Sequence, residues 1–232
     1  GPAIASLVYP TLLYGKDNPY GRSQIGTDVS VQAMTTTDLS TFYHSHFAPN
    51  GATLIAVGDI TPAELERKVS ALFGGWARQT VPTVNVGAGL EPPATTVYLI
   101  DKPGAAQSSF RIGSVGVARS TPDYFPIIVM NTALGGSFTS RLNKDLREDK
   151  GYTYGAFSQF EMRKHGGLFV ASAEVVSAKS DSALIEFMRQ LRAIRDTIPA
   201  TELNKTKRYL QLELPSEFET TGEIAMGLTN VA

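Results

Sequence analysis

The chain has 232 residues, 42% of them hydrophobic and 19% charged, which is the composition of an ordinary globular protein long enough to bury a core. Its formal net charge is −1 and its densest basic cluster is only Arg163-Lys164-His165, so no nucleic-acid partner is expected. It has no cysteine, which excludes disulfides, cysteine nucleophiles and thiolate metal sites, and no apolar run approaches the ~20 residues of a membrane-spanning helix.

The first 35 residues read as loop-rich, with turn formers at nearly every position of Tyr14-Gly15-Lys16-Asp17-Asn18-Pro19-Tyr20-Gly21-Arg22. A helix follows, capped by Thr36 or Thr37, with Leu39, Phe42 and Tyr43 on one face. Asn50-Gly51 makes a turn, and Ala52–Val57 is expected to be a buried strand closed by Gly58-Asp59. Thr61-Pro62 opens another helix with Leu65, Val69, Leu72 and Phe73 along one side, and Gly74-Gly75 ends it. Residues 77–95 are rich in proline and glycine, nearly uncharged and without periodicity, as in a semi-extended linker.

The second half is more strongly patterned. Thr96–Ile100 and Ser108–Val117 read as strands, and Pro122–Leu134 as a helix stopped by Gly135-Gly136. Ser140–Lys150 is a shorter helix ended by Gly151. Tyr152–Phe160 and Leu168–Val176 form a hairpin about Arg163-Lys164-His165-Gly166-Gly167. A long helix spans about Ser180–Asp196, with Leu184, Ile185, Met188, Leu191 and Ile194 as its apolar positions. Further helix follows over Thr201–Leu214. Paired strands interleaved with helices predict an α+β fold, a mostly antiparallel sheet covered on one face by helices. Two roles stay open for the helices after Ser180, packing on the sheet or forming a homo- or heterodimer.

The familiar catalytic patterns are missing. His44-x-His46 sits on a predicted helix at a spacing that points the rings to different faces, whereas a helical metal pair needs ligands three or four positions apart. Neither His-Glu-x-x-His nor its inversion occurs, and the chain has only one other histidine, His165, in a predicted turn. Gly113-Ser114-Val115-Gly116 has the wrong spacing for a nucleophile elbow, and Gly87-Ala88-Gly89 lacks the third glycine of a dinucleotide loop.

One stretch stands apart, Ser140-Arg141-Leu142-Asn143-Lys144-Asp145-Leu146-Arg147-Glu148-Asp149-Lys150-Gly151-Tyr152-Thr153-Tyr154. It places Arg147 near a helix end and Tyr154 early in a strand, with Gly151 as the turn between them. Such a corner brings together two donors able to hold a peptide carbonyl or an oxyanion. Read locally, a blander arrangement competes: Arg147 paired with Glu148 or Asp145 on the surface, and Tyr154 packed in the sheet.

At this corner the chain resembles the insulinase/pitrilysin family of zinc metallopeptidases, which includes the mitochondrial processing peptidases. The family carries a motif like Ser-Arg-Leu-x-x-x-Leu-Arg-Glu-x-x-Gly-x-x-Tyr, matched by Ser140, Arg141, Leu142, Leu146, Arg147, Glu148, Gly151 and Tyr154. Asn18-Pro19-Tyr20-Gly21-Arg22, Thr37-Asp38-Leu39, Phe42-Tyr43, Pro49-Asn50, Val57-Gly58-Asp59 and Asp101–Gln107 resemble further family segments in the family's order.

The resemblance implies two α+β domains that close like a clam on an extended peptide, the zinc site in the first and the Arg/Tyr pair in the second. It divides the chain into the end of a first domain (1–76), a linker (77–95) and a second domain (96–232) of half-clam form. Arg147 and Tyr154 then become substrate and transition-state contacts. Zinc is expected in an intact parent whose metal ligands precede Gly1, and no metal site is expected here. The implied function is the non-catalytic, substrate-binding portion of a zinc endopeptidase, inactive alone, with a peptide or protein substrate and a zinc-bearing domain or subunit as partners. A second reading is an inactive partner or core subunit acting through protein contacts. Bacterial relatives of this type imply a periplasmic setting. Strand addition at the sheet edges is expected to hold the peptide, and Thr36–Trp76 to lend its strand to the sheet of the second half.

Overall fold

The computed structural model of the chain describes residues 1–92 and 94–230. The chain folds as two compact units, one joining Gly1–Ile25 to Val86–Arg208 and the other joining Gly26–Asn85 to the stretch from Tyr209 onward. The first 25 residues thus share a unit with most of the second half.

The first unit is built on three antiparallel strands, β1 (Gln107–Gly116), β2 (Thr153–Arg163) and β3 (Gly166–Val176), in the order β1-β3-β2. β2 and β3 form the expected hairpin, with Arg163 opposite Gly166. Side chains alternate across the central strand. Ala171, Ala173 and Val175 face one side, where they meet Ala156 of β2 together with Leu134, Leu142, Leu146, Ala183 and Phe187. Those last residues come from a helical layer that includes α5 (Tyr124–Asn131), α6 (Arg141–Asn143) and α7 (Ser180–Asp196). This is the α+β architecture the pattern predicts, an antiparallel sheet with helices over one face. α7 packs on the sheet through Ala183 and Phe187, with Leu191 and Ile194 alongside. Ile185, read from the sequence as part of the apolar stripe, is 67% exposed.

The other side of β3 carries Leu168 and Val170 against Leu13 and Tyr14. These come from a helix that the sequence reading missed, α1 (Pro2–Tyr14). Pro10 inside it argues for a loop, because an interior proline removes a backbone donor and costs about 3 kcal/mol. Tertiary contacts override that local preference. The Tyr9 hydroxyl donates to the carbonyl of Phe169 at 2.5 Å, and the Tyr14 hydroxyl donates to that of Gly167 at 2.5 Å while accepting from its N–H at 3.0 Å. Burial raises the pKa of both phenols, so each keeps the proton it donates. A Cβ on Gly113 would collide with the Phe169 carbonyl and the Tyr9 hydroxyl, so glycine there permits the close approach. The predicted turn region follows α1, with Gly15 at φ 78° and the Asn18 side chain accepting from the Tyr20 N–H at 2.9 Å.

The second unit contains α2 (Asp28–Ala33), α3 (Thr36–His46), α4 (Pro62–Phe73) and, near its end, α9 (Thr221–Thr229), none of which buries a residue. α8 (Ala200–Glu213) runs across the boundary between the units. Thr27, Thr35 and Thr220 each close a reciprocal capping box at the start of α2, α3 and α9.

Two expected strands do not form. Ala52–Val57 and Thr96–Ile100 have the β-branched, apolar composition of strands, but neither joins a ladder among the described residues. A strand sequence becomes a strand only when a neighbour accepts its hydrogen bonds. Ala52–Val57, the strand that Thr36–Trp76 is expected to lend, is not formed as a strand among the described residues. Leu99, at 92% exposure, shows how open the second of these segments stands.

Candidate substrate-facing corner

The helical layer reaches β2 through two wide turns of π-helix, Thr132–Gly136 and Lys144–Asp149. Such turns insert an extra residue into a helix and recur at functional sites. The second one carries Arg147. Just past its end lies Gly151, whose φ of 64° is the left-handed conformation that glycine adopts without strain. Backbone bonds fix the corner: Lys150 N–H to Asp145 O at 3.0 Å, Gly151 N–H to Arg147 O at 3.1 Å, and Tyr152 N–H to Leu146 O at 2.8 Å. The carbonyl of Tyr152 then accepts from the Val176 N–H at 3.0 Å, which joins the corner to the central strand.

β2 begins irregularly. Thr153 lies opposite Val175 and Ala156 opposite Ala173, so β2 holds one more residue here than β3 does. Thr153 and Ala156 are both buried on the helical side, which leaves Tyr154 on the opposite side, 90% exposed. Buried Asn143 stabilises this bulge, donating to Phe138 O at 2.6 Å and accepting from the Ala156 N–H at 3.2 Å. A second buried asparagine, Asn131, donates to Ser158 O at 3.0 Å and accepts from the Ser158 hydroxyl at 2.8 Å. These amides occupy the outer edge of β2 at Ala156 and Ser158, so that edge cannot accept an added strand there.

Neither feature of the bland local arrangement is formed. Asp145 is buried and engaged by Arg189 at 2.7 Å and Gln190 at 2.8 Å, not by Arg147. Among the described residues, no ion pair or side-chain hydrogen bond involves Arg147; its guanidinium lies 4.3 Å above the ring of Phe138. Tyr154 is not packed in the sheet. The neighbouring motif arginine has a structural role instead. Arg141 holds Glu202 with a two-pronged contact at 2.7 and 2.6 Å, and that contact raises its pKa further. Asn131 and Asn143 were not singled out in the sequence, where a buried asparagine looks like any surface one.

The residues present do not fit a zinc ion. No group of three or more histidine, aspartate or glutamate side chains is placed to hold a metal among the described residues. His44 Nδ1 lies 2.7 Å from Ser40 O, and His46 stacks on Phe42 at 4.4 Å. No described helix is long and apolar enough to cross a membrane.

Comparison with known proteins places this architecture. The peptidase M16 inactive domain matches residues 33–210, more than half of the chain. A protein named as the uncharacterized zinc protease YmxG of Bacillus subtilis is 26% identical over 211 residues, covering 90% of this chain and 50% of that protein. An uncharacterized zinc protease of Mycobacterium leprae is 32% identical over 162 residues, covering 67% of this chain and 35% of the relative. The crystal structure of a peptidase M16 inactive domain from Pseudomonas fluorescens superimposes with a TM-score of 0.86 at 26% identity, over 98% of this chain and 54% of that one. The chain thus spans about half the length of the relatives it matches, or less. By sequence and by fold, this chain belongs to the peptidase M16 inactive-domain family, whose relatives are named as zinc proteases.

Proposed function

We propose that this chain forms the substrate-facing wall of a zinc-dependent endopeptidase, with Arg147 and Tyr154 donating hydrogen bonds to a bound peptide. The zinc ion and its ligands belong, on this reading, to the remainder of a longer protein or to a partner subunit. One observation carries the proposal: an arginine with no anionic partner among the described residues stands on a fixed corner, and seven residues on, across the Gly151 turn, a tyrosine is 90% exposed. Stacking on Phe138 keeps the guanidinium face covered and leaves its in-plane donors available to a ligand. A peptide carbonyl, or the negative charge that develops on it during hydrolysis, suits both groups, since arginine supplies forked donors and tyrosine one more.

The test uses fluorescence anisotropy of labelled, extended peptides with the 232-residue chain. Arg147→Ala is expected to weaken binding about 10- to 100-fold, the range for a lost hydrogen bond to a charged group. Tyr154→Phe, which removes only the hydroxyl, is expected to lose less. Arg147→Lys should recover part of the loss, because it keeps the charge without the fork. Unchanged binding by both Arg147→Ala and Tyr154→Phe would refute the proposal and favour a core subunit acting through other surfaces.

A further inference from the structure

Arg147 and Tyr154 stand on different elements, the wide turn Lys144–Asp149 and the start of β2. Each is set by different neighbours. The Arg147 guanidinium rests on the ring of Phe138, which is itself exposed. Tyr154 owes its outward direction to the extra residue between Thr153 and Ala156. Phe138 belongs to a short turn closed by the Ser140 N–H to Ser137 O at 3.1 Å. The Ser137 hydroxyl ties that turn to the preceding π-helix by donating to Thr132 O at 3.2 Å. The bulge is held at its start by Thr153, whose hydroxyl accepts from the Gly155 N–H at 3.1 Å and donates to Glu174 O at 2.7 Å. Among the described residues, Asn143 is the one side chain bonded to both parts.

We propose that Asn143 is a positioning residue for peptide binding, a single carboxamide that sets the Phe138–Arg147 stack and the Tyr154 bulge relative to one another. The inference rests on the substrate-facing reading of Arg147 and Tyr154 and adds to it the part that holds them in register. Three observations lead there. The first is bonding. Nδ2 donates to Phe138 O at 2.6 Å and Oδ1 accepts from the Ala156 N–H at 3.2 Å, so the two ends of one rigid, planar group fix the two segments together. The second is burial. Asn143 is fully enclosed, so water does not compete for these bonds, and the side chain cannot itself touch a peptide. The third is setting. Asn143 lies next to Leu142 and near Leu146, both fully enclosed in the apolar core, where a carboxamide is costly unless its bonds are made. Both of those bonds go to the backbone of the two segments that present Arg147 and Tyr154. Two donors serve one peptide well only when their separation is fixed, since a displacement of about 1 Å can cost about 100-fold.

The test is a set of double-mutant cycles read by anisotropy of labelled, extended peptides with the 232-residue chain. Asn143→Leu keeps the size of the side chain and removes both bonds. It is expected to weaken binding about tenfold in the otherwise unaltered chain, and by less in each of the Arg147→Ala and Tyr154→Phe backgrounds, where one of the contacts it positions is already gone. A loss undiminished in either background, as a general loss of stability would give, or no loss at all, would overturn the positioning role. In either case, binding that still falls with Arg147→Ala would leave the substrate-facing corner standing. Should Asn143→Leu fail to fold, as judged by thermal melting, the carboxamide protons of Asn143 in the unaltered chain carry the readout by NMR. Being enclosed, they sense a peptide only through the groups around them, and a saturating peptide should shift them in the unaltered chain but less in Arg147→Ala and in Tyr154→Phe. Resonances that stay fixed while peptide is bound, or that shift equally in all three chains, would overturn the proposal. Failure of every peptide to bind would remove both readings.

Discussion

Helices α7 and α4 both carry apolar residues at helical spacing, but only α7 buries them. Phe187 of α7 is fully enclosed and stacks on Phe110 of β1 at 6.0 Å, whereas Leu72 of α4 is 78% exposed. The contrast extends to the units. In the first, two layers of apolar side chains sandwich the sheet. In the second, Ala48 is the only buried apolar residue among those described, and the helices rely on their own ends: capping boxes at Thr27, Thr35 and Thr220, proline at the first position of α4, and the exposed Glu64–Lys68 pair at 3.0 Å. An amphipathic pattern thus specifies a helix in both units but a core only where a sheet face is available to meet it. The caps supply about 1 kcal/mol each, against several for an enclosed aromatic.

The largest test of this contrast compares one truncation in each unit. Phe187→Ala should cost about 3–5 kcal/mol in urea unfolding, because it opens a cavity in the core. Leu72→Ala should stay within about 0.5 kcal/mol, as for exposed positions generally. Equal losses would erase the distinction. Next in size is Asn143→Ala, which leaves the Phe138 carbonyl and the Ala156 N–H without their partner. The expected loss is about 1–3 kcal/mol for each buried group left unpaired. Faster amide exchange at Ala156 than at Ala173 in the variant would locate the damage at the bulge.

The smallest effect belongs to the second unit. Thr35→Ala should weaken α3 by about 1 kcal/mol, seen as faster amide exchange in its first turn with the sheet amides unchanged. Asp38 completes that cap, and its hydrogen bonds from the Thr35 hydroxyl and N–H hold its carboxyl below the ordinary aspartate range. A depressed carboxyl pKa gives stability that is present above the unfolded-state value and lost as pH falls through the folded one. Acidification should therefore fray α3 before it disturbs β1–β3, and an α3 indifferent to acid would show that Asp38 is not what secures it.

How legible these features were in the sequence follows the same division between local and tertiary causes. The β2–β3 hairpin and α7 were readable because alternation and helical spacing are local patterns; the corner at Gly151 was readable because a glycine after a helix signals a stop. α1 was not readable, since Pro10 argues against a helix and the phenol contacts that overrule it lie about 150 residues away in sequence, at Gly167 and Phe169. Ala52–Val57 and Thr96–Ile100 were over-read, because β propensity reports what a segment could join and not whether a neighbour is there. The motif singles out Arg147 and Tyr154, but spacing alone does not reveal that Asp145 is taken by Arg189 and Gln190 rather than by Arg147, nor that an extra residue in β2 turns Tyr154 outward.

The extra residue at the start of β2 makes Tyr154's position a matter of counting. Ala156 and Ser158 are buried, and continuing their alternation back by two would put Tyr154 in the interior with them. Three steps separate Thr153 from Ala156 where the facing strand takes two, and that odd step turns the phenol outward. Comparisons of this region that score polarity but tolerate a gap at Gly155 will assign Tyr154 to the wrong side of the sheet. Chain length between two anchored positions, more than the hydrophobicity of any residue, is what keeps this tyrosine in contact with solvent.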